Sequence, residues 1–318
     1  MLRQESLSPH ISVMLNEVMD YLSPKEGEVY VDCTFGAGGY TKSILDKANC
    51  TVISIDMDPE ALEHARRLEE SIKTNHKKKF IFVQDNFSEI ENIVKNLGYE
   101  FIDGIVLDLG VSSMQLDTVS RGFSFMNEAL LDMRMSQSGK SAHDIVNTYS
   151  EKDLADIIYK YGDEHKSRQI AKKIVEHRAY NEIGTTTQLA DIVRSVVGNR
   201  GKIDPATKTF QAIRICVNNE LQNLEQVLDA SELLLRDKGR LVVVSFHSLE
   251  DKLVKKFVQE RSGVKTNTSR YLPDLDDSPS EIKFKNLTKK AVMCSDQEKN
   301  QNVRARSARL RAAVRVSG

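Results

Sequence analysis

Cysteines are few and stand apart. Cys33, Cys50, Cys216 and Cys294 form no C-x-x-C pair, so neither a zinc site nor a disulfide framework is expected, and four isolated thiols fit a reducing cytoplasm. No cluster of metal-ligand type stands out, and no metal is expected. Apolar runs are short: the longest, such as residues 241–244, are the size of a strand, too short for a membrane span or the core of a signal peptide. There is no internal repeat. Charge of one sign is lacking too. The formal net charge is −1 over 318 residues, so any attraction to nucleic acid has to be local. What remains, 40% hydrophobic and 29% charged residues, is the balance of a soluble globular chain long enough for two domains, or for one domain with a large insertion.

The pattern along the chain favours the insertion. Val13, Met14, Leu15, Val18, Met19 and Leu22 share one helical face, which Pro24 and Gly27 terminate. Strand patterns follow at residues 29–31, 51–55, 80–83 and 102–109, with helices between them. One helix follows the glycines directly over residues 40–47, and another has Asp58 as its expected N-cap and Pro59 in its first position. Strands alternating with helices at this spacing predict a parallel, doubly wound α/β sheet. From about residue 111 to 215 the strand pattern disappears, and amphipathic helices, as at 153–160 and 169–178, take over. A strand returns at 240–246, followed by a helix at 250–259. The expected organisation is an α/β core of residues 1–111 and 216–318, interrupted by a mostly helical insertion, 112–215. Residues 262–318 read as loop-rich, an acidic patch (Asp274, Asp276, Asp277, Glu281) giving way to a basic end.

Four features along the core suit an adenosine-type ligand. Gly36-Ala37-Gly38-Gly39 lies between a strand and a helix, where glycines permit a tight turn and close approach of a ligand. It is neither a dinucleotide fingerprint, since Thr41 stands where the last glycine belongs, nor a P-loop, since no Lys-Ser/Thr pair follows. Asp56, about 20 residues on, is placed to accept hydrogen bonds from ribose hydroxyls. Asp85-Asn86-Phe87 after the third strand suits a purine edge and face. Asp108 ends the fourth strand, where open α/β sheets bind ligands. Taken singly, a glycine turn is often only a turn, Asp56 or Asp58 a helix cap, and Phe87 core. Their joint order carries the reading.

The chain resembles the MraW/RsmH-type methyltransferases, and the matching stretches run almost end to end: HISVMLNE (10–17), DCTFGAGG (32–39), DMDPEA (56–61), DLGVSSMQLD (108–117), RGFSF (121–125), LDMRM (131–135), TFQAIRI (209–215), SFHSLED (245–251) and RARSARLR (304–311). The resemblance implies a class I methyltransferase core with a helical, substrate-recognising insertion. It implies S-adenosylmethionine as cofactor, and transfer of its methyl to the 4-amino group of a cytidine in the decoding region of small-subunit ribosomal RNA. By matching position it implies cofactor contacts at Gly38, Gly39, Tyr40, Asp56, Phe87, Asp108 and Gln115. The partner it implies is small-subunit ribosomal RNA or the assembled small subunit, with no membrane; monomer and homodimer both stay open. The chain departs from the family pattern at Ala37, Tyr40, Met114, Asp204 and Lys208, where Arg, His, Pro, His and Arg are usual. The Tyr40 and Asp204 departures favour a ribosome-assembly factor without catalysis; the glycines, Asp56 and Asp108 speak for an enzyme.

Methyl transfer chiefly needs alignment of donor and acceptor. The cytosine amino nitrogen is a poor nucleophile, its lone pair being delocalised into the ring, and an acceptor for its N–H would help. Asp108 and His247 are the candidates; a backbone-satisfied structural histidine is an equal reading of His247. Asp132 and Arg134 could pair with each other. Methylation at ring carbon 5 needs a cysteine nucleophile, and no Pro-Cys pair exists. Basic segments that could meet RNA phosphates are Lys77–Lys79, the Lys166, Arg168, Lys172, Lys173 stretch, and a tail with Arg304, Arg306, Arg309, Arg311 and Arg315.

Overall fold

The structure, a computed structural model, describes residues 12–198, 201, 203–263 and 281–317. His10 of the first matching stretch and the acids Asp274, Asp276 and Asp277 lie outside them. The chain forms two compact units, Met1–Gly110 with Gln222–Gly318, and Val111–Leu221.

The first half of the sheet unit runs α1 (Leu15–Leu22), β1 (Val29–Asp32), α2 (Gly39–Lys47), β2 (Thr51–Asp56), α3 (Ala61–Ile72), β3 (Lys79–Gln84), α4 (Ile90–Asn96) and β4 (Ile102–Asp108). The chain then leaves for α5 (Ser113–Asp117), α6 (Ala142–Thr148), α7 (Glu151–Gly162), α8 (Ser167–Arg178), α9 (Thr186–Val197) and α10 (Ala206–Asn218). It returns through α11 (Glu220–Leu234), β5 (Leu235–Ser245), α12 (Ser248–Arg261), β6 (Phe284–Asn286), β7 (Val292–Met293), α13 (Asp296–Gln301) and β8 (Arg309–Arg315).

The sheet order is β3-β2-β1-β4-β5-β8-β6, with β7 also on β8. The first five strands are parallel and β8 is antiparallel to β5. Parallel strands are covered on both faces and so read as continuous apolar runs, which is why they were visible in the sequence. Successive residues feed opposite cores: Ile53, Ile105 and Leu107 join Leu228, Phe257 and Phe284 on one face, while Val52, Val106 and Val242 join Met14, Ile44 and Leu310 on the other. The strand order reverses between β1 and β4. In-register pairing brings Asp32 beside Ser54 and Val106, and Asp108 beside Val244. The C-terminal ends of the parallel strands therefore open on one edge at the switch point, the ligand position of a doubly wound sheet. This is the doubly wound α/β sheet that the strand spacing predicts.

Two expectations need correction. Residues 309–315 are not loop but the strand β8, held between β5 and β6. Its Leu310, Ala312 and Ala313 are buried while Arg309 and Arg311 pair with Asp251 at 3.3 and 2.6 Å, so ion pairing lets an arginine-rich stretch enter the sheet. Asp58 does not cap α3 directly. Its Oδ1 accepts, at 3.1 Å, the N–H of Glu60, the residue just before the helix starts at Ala61.

In the helical unit, capping boxes start α5 (Ser112/Gln115), α6 (Ser141/Asp144) and α9 (Thr185/Gln188). The unit ends later than residue 215 because α10 continues to Asn218, whose side chain binds the backbone of Met133 and Met135 at 2.8 Å each. Within that pinned loop Asp132 and Arg134 form a bidentate pair with a 2.6 Å contact. Two family departures are satisfied locally: Asp204 takes the Arg194 guanidinium at 2.7 Å, and Lys208 donates to the Asp163 carbonyl at 2.8 Å.

Candidate cofactor site

The turn from β1 into α2 is built for backbone exposure. Gly36 and Gly38 have φ of +53° and +81°, a region that penalises any β-carbon. A β-carbon at Gly38 would stand 2.9 Å from the Phe35 ring, and one at Gly39 would stand 1.8 Å from the Ser12 hydroxyl. Asp56, at the end of β2, accepts the Gly36 N–H at 2.7 Å through one carboxyl oxygen and the Asp58 N–H at 2.9 Å through the other. Burial raises this carboxyl to about 6. Asp56 thus shapes the glycine turn, and each of its oxygens keeps a second lone pair for a ligand hydroxyl. The chain after β3 joins here through the Asp85 N–H to the Asp56 carbonyl, 3.1 Å. Asn86 Oδ1 accepts the Ser88 N–H at 3.0 Å, starting a short turn with Phe87 half-buried against the core.

Sequence reading missed Asp32. It is fully buried at the end of β1, accepting the Thr34 N–H at 3.2 Å and the Thr41 hydroxyl at 2.7 Å. Burial raises its carboxyl to about 6. The signal was an acid closing an otherwise apolar strand just before the glycines.

Asp108 closes β4. Its N–H donates to the Thr34 hydroxyl at 2.7 Å, while its Oδ1 is buried with no hydrogen-bond partner in the described residues. Burial first, then the carboxyls of Asp32, Glu250 and Glu298, hold it well above the usual carboxylate range. An acceptor oxygen that is neither solvated nor paired is costly, and at a strand end on the switch-point edge it marks a place for a ligand's donor or cation.

His247 caps α12, its Nδ1 accepting the Glu250 N–H at 3.5 Å. Glu250 answers by taking the N–H groups of Phe246 and His247 at 2.8 and 3.2 Å. The imidazole Nε2 lies 3.0 Å from Glu250 Oε1 but out of line for a hydrogen bond. The Phe246 ring lies 3.5 Å from where a β-carbon of Gly110 would be.

Tyr40 and Gln115 serve the fold. The Tyr40 phenol is buried and donates to the Val13 carbonyl, so its side chain straps the N-terminal segment to α2 and leaves only its backbone to a ligand. Gln115 belongs to the helical unit, where it completes the cap of α5.

The MraW methylase family matches residues 7–316. The chain belongs to that family. It is 56% identical over 310 residues to the ribosomal RNA small subunit methyltransferase H of Rickettsia bellii, covering 97% of this chain and 99% of the relative. It is 54% identical over 311 residues to that of Rickettsia massiliae, covering 98% and 99%. An rRNA methylase from Streptococcus thermophilus, solved by crystallography, aligns over 97% of this chain and 99% of its own, at 11% identity and a TM-score of 0.41.

The cofactor of this MraW-family chain is S-adenosylmethionine. The site fits it: a cradle that β-carbons would fill at Gly38 and Gly39, an acid beside that turn with acceptor capacity left, and a buried, unpartnered carboxyl oxygen suited to a cation.

Proposed function

We propose that this enzyme methylates the exocyclic 4-amino group of a cytidine in the decoding region of small-subunit ribosomal RNA, presented as RNA or as the assembled small subunit, in the cytoplasm. The carrying observation is the buried, unpartnered Oδ1 of Asp108 at the C-terminal end of β4, beside β5. The names of relatives more than half identical over nearly the whole chain support the ribosomal RNA substrate.

S-adenosylmethionine supplies a methyl activated by a sulfonium. Gly36–Gly39 would give the backbone turn that holds it, Asp56 and Phe87 would bind its nucleoside, and Asp108 would compensate its cationic end. The helical unit recognises the RNA. The incoming base has to leave its stack to reach the site. Asp108 would accept an N–H of the amine, freeing its lone pair and holding it in line with the methyl, while His247, whose Nδ1 is taken by the Glu250 N–H, would contact the substrate only as a donor through Nε2. The thiols point away from ring-carbon chemistry. Burial pushes the Cys33 thiol well up and raises that of Cys216, so neither is poised as a thiolate nucleophile.

The test is methyl transfer from labelled S-adenosylmethionine to small subunits lacking the modification, followed by nucleoside analysis. Label in 4-amino-methylated cytidine, lost with Asp108→Ala, is the expected result. Label in a different nucleoside overturns the target.

A further inference from the structure

We infer that Asp108 meets the cofactor as a neutral acid and loses its proton when the sulfonium binds, so that S-adenosylmethionine expels a proton and its demethylated product does not. The inference rests on the cofactor assigned above. Asp108 is surrounded by acids on every side that acts on it: Asp32 from β1, Glu250 from α12 and Glu298 from α13. The remaining titratable neighbour is the Tyr40 phenol of α2, a neutral group turned to the Val13 carbonyl. His247, at the end of the adjacent strand, is turned to Glu250. No lysine or arginine of the described residues is among the groups acting on Asp108. Its backbone is fixed by Thr34, its Oδ1 has no donor, and no cation among the groups acting on it compensates a negative charge there. Carboxyls that share a water-poor site cannot all ionise.

A cation is the ligand that changes this balance. With the sulfonium in place the Asp108 carboxylate is compensated, and its proton passes to the buffer. After transfer the product is a thioether without that charge. Asp108 takes up the proton that the methylated nitrogen sheds, and the attraction that held the donor is gone. The same carboxyl thereby discriminates donor from spent product, which favours product release.

Calorimetric titration of the full-length protein measures this directly. S-adenosylmethionine and S-adenosylhomocysteine are each titrated in phosphate and in Tris, buffers of different ionisation heat, from pH 5 to 8. The expected result is a release approaching one proton per S-adenosylmethionine within that range and near none for the product. Below the raised Asp108 value, affinity for S-adenosylmethionine should climb with pH, up to tenfold per unit, while affinity for the product stays flat. Asp108→Asn, of the same shape, should abolish the release and weaken the donor roughly tenfold relative to the product, with a melting temperature showing that it folds. Glu298→Gln keeps an acceptor for the Met14 N–H and removes one like charge; it should reduce the number of protons released. Tight donor binding with equal heats in both buffers, or equal release by donor and product, overturns the inference and leaves the cofactor standing. Failure of both ligands to bind overturns the cofactor assignment and the inference with it.

Discussion

At the scale of single residues the site is notable for acids held where water is scarce. Asp32 and Asp56 both stand at about 6 in the folded protein, against about 3.9 for a solvated aspartate. The folded chain therefore keeps protons on these groups that the unfolded chain has already lost. Their contribution to stability is present at low pH and is lost as pH rises through about 6. Two units correspond to roughly 3 kcal/mol per group as an upper bound. Melting temperatures of ligand-free protein between pH 4 and 7 should carry this downward component, superimposed on the other titrations. Asp32→Asn, which cannot ionise, should flatten it and gain relative stability above pH 6. An unchanged pH slope in that variant would remove Asp32 as its source.

At the scale of elements, legibility followed the physics of burial. The strands β1 to β5 were readable because each carries an apolar run, and Asp56 and Asp108 stood out because such runs end at them. The strand β8 was not. In Arg309–Arg315 three of the seven residues are arginines, which reads as a solvated tail until the partner of the charges is known, and Asp251 lies 58 residues from Arg309. Asp32 was hidden for a related reason: an acid closing an apolar run looks like the first residue of a loop, yet here it is inside. Nor did the sequence distinguish ligand contact from fold for Tyr40, whose hydroxyl is taken by a carbonyl 27 residues away. The pairing that seats β8 has a measurable worth. The Asp251 carboxyl is held below its ordinary value by Arg311 and Arg309 against the opposing effect of burial, and the Arg311 side chain is only 13% exposed. Asp251→Ala leaves a largely buried guanidinium uncompensated and should destabilise the protein by about 3 kcal/mol, read as a lower denaturation midpoint. The double variant Asp251→Ala/Arg311→Met should recover part of that loss. If the single variant melts like the parent, the ion pair is not what seats the strand.

At the scale of the whole molecule, a net charge of −1 has to be reconciled with an RNA substrate, and internal pairing decides which cations are available. Arg309 and Arg311 are committed to Asp251. Arg315 donates to the Glu232 and Lys283 carbonyls at 3.2 and 3.0 Å. Lys166 reaches the last carbonyls of α9 at 3.1 and 3.4 Å, and Lys78 pairs with Asp46 at 3.6 Å. The arginine tail is thus mostly a structural strand. Lys172 and Lys173 on α8 are different. Both are exposed and share one exposed partner, Glu176, at 4.0 and 3.5 Å. Such surface pairs are worth little, so a phosphate can readily replace the carboxylate. Lys172→Ala/Lys173→Ala should weaken RNA binding and reduce the slope of log affinity against log salt by about 0.7–0.9 for each phosphate no longer neutralised, with the melting temperature unchanged. Arg311→Ala should do the reverse, lowering the melting temperature while leaving the salt slope alone. An unaltered slope in the α8 variant would mean that its lysines only solvate the helix, and that the RNA is drawn to cations elsewhere on the surface.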